Sequence, residues 1–338
     1  MKCLVCCSYA SSRNFGALSC SACKMFFTRA TKNYAKFTCK YDKKCFESFT
    51  ILPKCQFCRF KKCLEIGMRF SEPKQQLFNL NNSVDQDLII LLGNLAVKDG
   101  VHYSNFLNFY SLEDPSMDDI LADRSRMKLM KRTLEIKTKS HEWTFLGSYY
   151  KIAQFLDFDF VKTMSLADRK ILFSYNTLRM GSLSRSMRTY LDKRDCLMTP
   201  SGDDLFSPAV RGLFDKTPEI INRILCQVVG RLMEIKITYE EYLLLIMIVF
   251  CNPSISHELS DSARETLSKY QNMYASFLFR FCQLKNQHKA PTRFNDILSI
   301  CNVNNKNVED YCFVHMMFQC MVPEFKFKKL VNDIIIRS

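Results

Sequence analysis

The chain has 338 residues, with 48 Lys and Arg against 34 Asp and Glu, for a formal net charge of +14. Residues 1–70 hold 14 basic and 3 acidic residues and ten of the 17 cysteines, whereas the rest of the chain is nearly neutral. Hydrophobic residues make up 47%, which excludes a disordered chain, and the asymmetry excludes a single homogeneous enzyme domain.

The opening residues carry no apolar run, so no secretory signal is expected and the cysteines face a reducing compartment. Clustered cysteines there more often bind metal than form disulfides. No histidine falls in the first 100 residues, so cysteine alone must hold any metal. The spacing is Cys3-x2-Cys6-x13-Cys20-x2-Cys23, then Cys39-x5-Cys45-x9-Cys55-x2-Cys58. Each set of four suits a closed tetrahedral zinc site, and a segment with so little apolar bulk needs the metal to fold. Two Zn2+ are therefore expected, each supplying roughly 10–16 kcal/mol of folding energy. Cys7 and Cys63 are left as spare or buried thiols. Eight thiolates and two Zn2+ reduce the segment's charge to about +7, still basic enough for phosphate.

Residues 21–32 read as a helix with two faces. Ser21, Ala22, Lys24, Met25, Thr28, Arg29 and Lys32 share a small, polar, basic arc suited to a DNA major groove. Cys23, Phe26, Phe27 and Ala30 share the inward arc. A second helix is expected at about 56–66, its Phe57, Phe60 and Leu64 packing across Phe26 and Phe27. Arg59, Lys61 and Lys62 should then face solvent or phosphate. Pro73 and a polar stretch mark a hinge at residues 71–84, between a domain at 1–70 and another at 85–338.

From about residue 84 the apolar periodicity is helical. Positions 220, 221, 224, 225, 228, 229, 232 and 233 repeat as one helix face, begun by Thr217-Pro218. Thr238…Glu241 and Ser262…Glu265 read as capping boxes, and Ser165…Asp168 as a variant with Asp. Residues 242–250 are apolar all round, as in a helix covered on every side. Residues 192–207 are turn-rich and suit a short hairpin. Roughly ten to twelve helices in layers are expected. The longest apolar run, 242–251, is too short to cross a bilayer, so no membrane partner is expected. No Gly-rich loop marks a nucleotide site and no nucleophile–base pair stands out, so no enzymatic activity is expected.

The cysteine pattern, the run CKMFFTR at 23–29 and CRFKKCLEIGM at 58–68 resemble the DNA-binding domain of nuclear hormone receptors. CSACK at 20–24 resembles the divergent nematode-type branch. The resemblance implies that Ser21, Ala22 and Met25 discriminate bases, that Lys24 and Arg29 contact base and phosphate, and that 40–44 is a dimer loop. Ser21 stands where the family usually has Glu, and Leu52 where it has Arg. Farther on, FVKTMSLADRKILF at 160–173 resembles the signature of the ligand-binding domain, and Arg293-Phe294 the start of its long dimerisation helix.

Leu330, Val331, Asp333, Ile334 and Ile335 resemble the activation helix, whose acid caps the end of a coactivator peptide helix. The partner lysines of that clamp align with Leu156 and Ser174, leaving Lys151 and Lys162 as nearby candidates. An apolar ligand cavity would be lined by residues such as Phe145, Tyr149, Phe155, Met180, Met187 and the stretch 316–321. Arg179 and Arg188 would orient a polar ligand end or pair at the surface, and His315 reads as a satisfied core histidine.

The fold expected is thus a small helical DNA-binding domain with two four-cysteine zinc sites, then an all-α layered ligand-binding domain. The function expected is a zinc-dependent, sequence-specific transcription factor in the nucleus. Its partners would be double-stranded DNA, coregulator proteins, a small lipophilic ligand and a second receptor as homodimer or heterodimer. The alternative is a protein-interaction adaptor or corepressor with weak or lost DNA binding.

Overall fold

A computed structural model describes residues 2–10, 13–14, 17–30, 37–39, 45, 55–66, 68, 83–133 and 138–335. It divides into two units, Met1–Leu80 and Asn81–Ser338. Lys32, the loop 40–44, Leu52 and the hinge to residue 82 lie outside the described residues.

In the first unit, β1 (Arg13–Asn14) pairs antiparallel with β2 (Ala17–Leu18), and two helices follow, α1 (Ser21–Ala30) and α2 (Gln56–Glu65). Phe27 is fully buried, and its ring stacks on that of Phe60 at 5.6 Å between centroids. The core around them is small. Cys3, Cys20, Cys23 and Cys63 are themselves part of it, beside Val5, Ala17 and Met68. A core this size cannot offset the chain entropy of ordering the segment, which leaves the balance to metal.

The second unit is helical. In chain order it comprises α3 (Ser83–Asn108), α4 (Met117–Ala122), α5 (Ser140–Leu156), α6 (Asp159–Lys162) and α7 (Leu166–Leu191). Then come α8 (Pro208–Leu213), α9 (Pro218–Ile235), α10 (Tyr239–Phe250), α11 (Asp261–Asn286), α12 (Ala290–Met321) and α13 (Lys329–Ile335). A two-residue ribbon, β3 (Phe109–Tyr110) with β4 (Met130–Lys131), closes the segment that carries α4. Helices α7 and α10 form the inner layer. α7 packs against α5, α9, α10, α12 and α13, and α10 against α3, α11 and α12. Every residue of α10 from Tyr242 to Ile248 is buried, which is why its sequence is apolar all round.

The helix starts follow local chemistry. Thr238 and Glu241 form the expected reciprocal capping box of α10. Pro218 occupies the first turn of α9, and Thr217 makes no side-chain cap. α9 stops at Lys236, whose φ of 50° is left-handed. The box expected at Ser262 is displaced by two residues. α11 begins at Asp261, and the Ser260 hydroxyl accepts from Ala263 N at 3.2 Å. Ser260 is available there because Asp168 holds it, accepting from its backbone N and its Oγ at 2.9 Å each. Between α7 and α8, Met198 and Asp204 form an antiparallel bridge around Gly202, whose φ of 87° requires glycine.

A charged cluster lies inside. Asp99 of α3 accepts from Lys151 of α5 at 3.5 Å, from Tyr239 OH at 2.7 Å and from the Arg188 guanidinium of α7. The expected surface pairing of Arg188 is therefore corrected. Its partner is a carboxylate only 2% exposed, and the group ties four helices together, α3, α5, α7 and α10.

Candidate zinc centres and nucleic-acid interface

The turn at residues 3–8 is closed by backbone hydrogen bonds from Cys7 N to Cys3 O and from Cys3 N to Ser8 O, both 2.8 Å. It sets Cys3 and Cys6 beside Cys20 and Cys23 at the start of α1. The four Sγ atoms lie within 4.8 Å of one another, as do those of Cys39, Cys45, Cys55 and Cys58. The closest sulfur pairs, Cys6–Cys20 at 3.5 Å and Cys39–Cys45 and Cys39–Cys58 at 3.6 Å, are far beyond a disulfide bond of about 2.05 Å. Tetrahedral zinc with Zn–S bonds of about 2.3 Å places its sulfurs about 3.8 Å apart. The two sets fit two Zn2+, each with four thiolates and no open position. Such sites hold the fold and leave no coordination site for catalysis.

The spare thiols behave as small side chains. Cys63 is fully buried, and burial pushes its thiol up to about 11. Cys7 is exposed in the turn, at a φ of 59°.

Arg59 departs from expectation. Its guanidinium turns inward, 4.4 Å from the Phe26 ring centroid, and Nη2 donates to Cys23 Sγ at 3.3 Å. Burial raises the Cys23 thiol, and this hydrogen bond and charge favour the thiolate against it. Expected at solvent or phosphate, the Arg59 side chain is half-buried and lies between the Phe26 ring and a zinc-ligand sulfur. Lys61 and Lys62 do face outward, each near Glu65, at 3.7 and 4.0 Å.

On α1 the two arcs separate. Cys23, Phe27 and Ala30 are buried and Phe26 is half-buried, while Ser21, Ala22, Lys24, Met25 and Arg29 are exposed. Arg29 Nε donates to Met25 O at 3.3 Å, which draws the guanidinium along the helix.

In the helical unit, Leu330, Val331, Ile334 and Ile335 of α13 are all buried, against α5 and α7. Asp333 is already engaged. Its Oδ2 accepts from Met117 N of α4 at 2.8 Å, so its first partner is this chain's own helix. Neither candidate lysine completes a clamp. Lys151 is spent on Asp99, and Lys162 pairs with Asp159 at 3.0 Å. Sequence reading passed over α4 because a six-residue helix shows too little periodicity. Its one local signal was Ser116…Asp119, which forms a reciprocal capping box.

Phe145, Tyr149, Phe155, Met180 and Met187 belong to one continuous core. The stretch 316–321 does not. Met316, Met317 and Met321 are exposed. An open groove of about 530 Å³ lies there instead, lined by Leu213, Phe214, Ile220, Phe313, Met317 and Met321. Arg179 reaches Asn305 at 3.2 Å near the surface. His315 is not satisfied as expected. Its ring packs at 3.9 Å on Phe327, and among the described residues Nε2 has no partner. Burial holds its pKa down, to about 4.

Comparison with known proteins agrees with this layout. Residues 1–70 match the family model of the double treble clef zinc finger of C4 type, and residues 127–312 match that of the ligand-binding domain of nuclear hormone receptor. The chain belongs to the nuclear hormone receptor family. Among its relatives in Caenorhabditis elegans, nuclear hormone receptor family member nhr-51 is 46% identical over 331 residues, 98% of this chain and 89% of that protein. Family member nhr-268 is 42% identical, covering 99% of this chain and 98% of that protein, and nhr-197 is 40% identical, covering 100% and 99%.

Proposed function

We propose that the chain is a nuclear, zinc-dependent transcription factor that reads double-stranded DNA with α1. The carrying observation is the two-faced helix. Cys23 and Phe27 anchor α1 to a zinc set and the small core, and Ser21, Ala22, Lys24, Met25 and Arg29 stand outward on its other face. Small side chains at 21 and 22 let a helix approach base edges, and Lys24 and Arg29 match acceptors on guanine and phosphate. The chain acts by binding rather than turnover, consistent with its two four-thiolate sets. The helical unit is the regulatory half, engaging coregulators, a second receptor in a homodimer or heterodimer, and a small lipophilic ligand.

A specific observation supports the ligand. Arg185 Nε and His315 Nε2 are buried without hydrogen-bond partners among the described residues, and both side chains approach Tyr311. Buried polar groups of this kind call for a polar partner. An apolar molecule with one polar end would supply it.

The test is selection from random duplex DNA by zinc-loaded, full-length protein. An enriched motif is expected, with half-site number and spacing reporting the oligomeric state. A pool that stays random would favour an adaptor without DNA specificity.

A further inference from the structure

Between α7 and α9 the chain doubles back onto α9 and is fastened there by a backbone hydrogen bond from Leu197 N to Leu225 O, 2.9 Å. Leu197, Leu205 and Phe206 of this segment are buried with Ile221, Ile224 and Leu225 in a cluster separate from the main core. Its tip is closed by the Met198–Asp204 bridge around Gly202.

A cysteine lies beside each end of that hydrogen bond. Cys196 precedes Leu197 and Cys226 follows Leu225 on α9, and their thiols are close enough to hydrogen-bond. A disulfide bridges main chains whose Cα atoms lie about 4.4–6.8 Å apart, the range in which a backbone hydrogen bond holds two facing chains. The two thiols differ in access. Cys226 is exposed and Cys196 is half-buried. Burial first, then Cys226 itself, raises the Cys196 thiol. Among the described residues, the groups of three or more side chains placed to hold a metal are the two zinc sets, so this pair lacks the further donor of a metal site. Two facing thiols, one of them open to solvent, are instead a site for reversible oxidation.

We propose that Cys196 and Cys226 form a reversible disulfide under hydrogen peroxide, stapling the segment at 196–206 to α9. This goes beyond the DNA- and ligand-binding reading and does not depend on it. The exposed Cys226 reacts first. Its sulfur attacks one peroxide oxygen and the O–O bond breaks. Cys226 becomes a sulfenic acid, and the other oxygen leaves as hydroxide and takes up the thiol proton as water. Cys196 Sγ then attacks the Cys226 sulfur. The S–S bond forms, the S–O bond breaks, and the leaving hydroxide takes the Cys196 proton. Two thiols and one peroxide thus give one disulfide and two waters, the sulfurs losing the electron pair that the peroxide gains. A small thiol of the glutathione class reverses the link by exchange through a mixed disulfide, and a second one frees the last cysteine. In a reducing compartment the pair rests as thiols and the link is transient.

The consequence is mechanical. The link closes a ring over residues 196–226, which contains the turn, α8 and the first half of α9. Opening of the separate apolar cluster is then opposed. Phe206 lies 6.2 Å from the Tyr311 ring of α12, so the staple fixes that contact as well.

The experiment treats full-length, zinc-loaded protein with a small molar excess of hydrogen peroxide, blocks the remaining thiols with an alkylating reagent and maps the digest by mass. A peptide pair joined through Cys196 and Cys226 is expected, lighter by two hydrogens and separated by dithiothreitol. Zinc content is assayed alongside, so oxidation of the zinc sets is scored separately. Cys196→Ser protein is expected to accumulate a sulfenic acid at Cys226, trapped by dimedone, and Cys226→Ser protein to keep Cys196 reduced. The wild-type map does not require either variant to fold. Passage of Cys226 to the sulfinic acid without a link overturns the proposal. So does full alkylation of both thiols while Cys320, also exposed, is oxidised. Hydrogen exchange reads the staple itself. Amides at 197–206 are expected to exchange at least about tenfold more slowly in linked protein and to recover with dithiothreitol. Unchanged exchange there in fully linked protein overturns the staple.

Discussion

Arg59 donates to Cys23 Sγ at 3.3 Å, which makes a residue of α2 a support for a zinc ligand on α1. The contact joins the two helices through the metal set as well as through the Phe27–Phe60 stack. Removing it leaves the thiolate without its charged donor. Arg59→Ala is expected to lower zinc affinity at the first set by about 10–100-fold, the usual effect of losing a ligand's hydrogen-bond partner. Competition against a chromophoric chelator measures it. DNA affinity should fall only as zinc is lost. A variant that keeps its zinc but binds DNA poorly would show that Arg59 serves phosphate after all.

Zinc removal should split the molecule's response. The first unit has a small core built partly of cysteines, while the second has a continuous apolar core. A strong chelator is expected to make residues 1–70 sensitive to protease and abolish DNA binding. The helical unit should keep its far-ultraviolet dichroism. Retained resistance of residues 1–70 after demonstrated zinc loss would contradict the metal-dependent fold.

Much of this was legible in the sequence, for physical reasons that differ along the chain. Metal ligands declare themselves by spacing, since two cysteines must reach one ion from one turn. The inward and outward arcs of α1 follow from helical geometry alone. α10 was legible because a helix buried on every side needs no polar face. What stayed hidden depends on contacts remote in sequence. Arg59 looked like a surface base because nothing local reveals the Phe26 ring beneath it. Asp168 looked like a local cap, yet it also reaches Ser260, just before the start of α11. The exposed methionines of α12 read as core because composition does not say which side of a long helix has a neighbour.

That remote role of Asp168 can be tested. Burial raises its carboxyl, but hydrogen bonds from Ser165 and Ser260 outweigh this and hold it below the usual carboxylate range. Asp168→Ala removes two bonds to the start of α11 and one from Ser165. Hydrogen bonds to a charged acceptor contribute about 1.5–3 kcal/mol each, less whatever water restores. A drop of about 2–3 kcal/mol in urea unfolding of the helical unit is expected, with zinc content unchanged. No change in the midpoint would reduce the clamp to a surface contact.

The reading face of α1 makes a prediction of a different kind. Lys24 and Arg29 are exposed, on the side of the helix opposite Phe27. Lys24→Ala and Arg29→Ala are each expected to weaken DNA binding by about 1–3 kcal/mol while leaving zinc content and melting behaviour intact. The phosphate contact of the pair should also lower the salt slope by about one. Unchanged titrations for both variants would remove α1 from the interface.

Asp99 supplies the pH dependence. Burial raises its carboxyl, but Lys151, Arg188 and the Tyr239 hydroxyl outweigh burial and hold it below the usual carboxylate range. A carboxyl depressed on folding stabilises the protein at pH values above its unfolded value, near 4. That contribution disappears as pH falls through the lower, folded value, where the native state must also take up a proton. Asp99→Asn removes it at every pH and leaves Lys151 and Arg188 together in the interior. Breaking a buried pair in this way costs about 3–5 kcal/mol at neutral pH. Urea midpoints measured from about pH 7 down to about pH 2 should therefore show a large gap between wild type and variant that narrows on the acid limb. A gap that stays constant below pH 4 would mean that the variant loses packing rather than charge, and that the cluster does not titrate with folding.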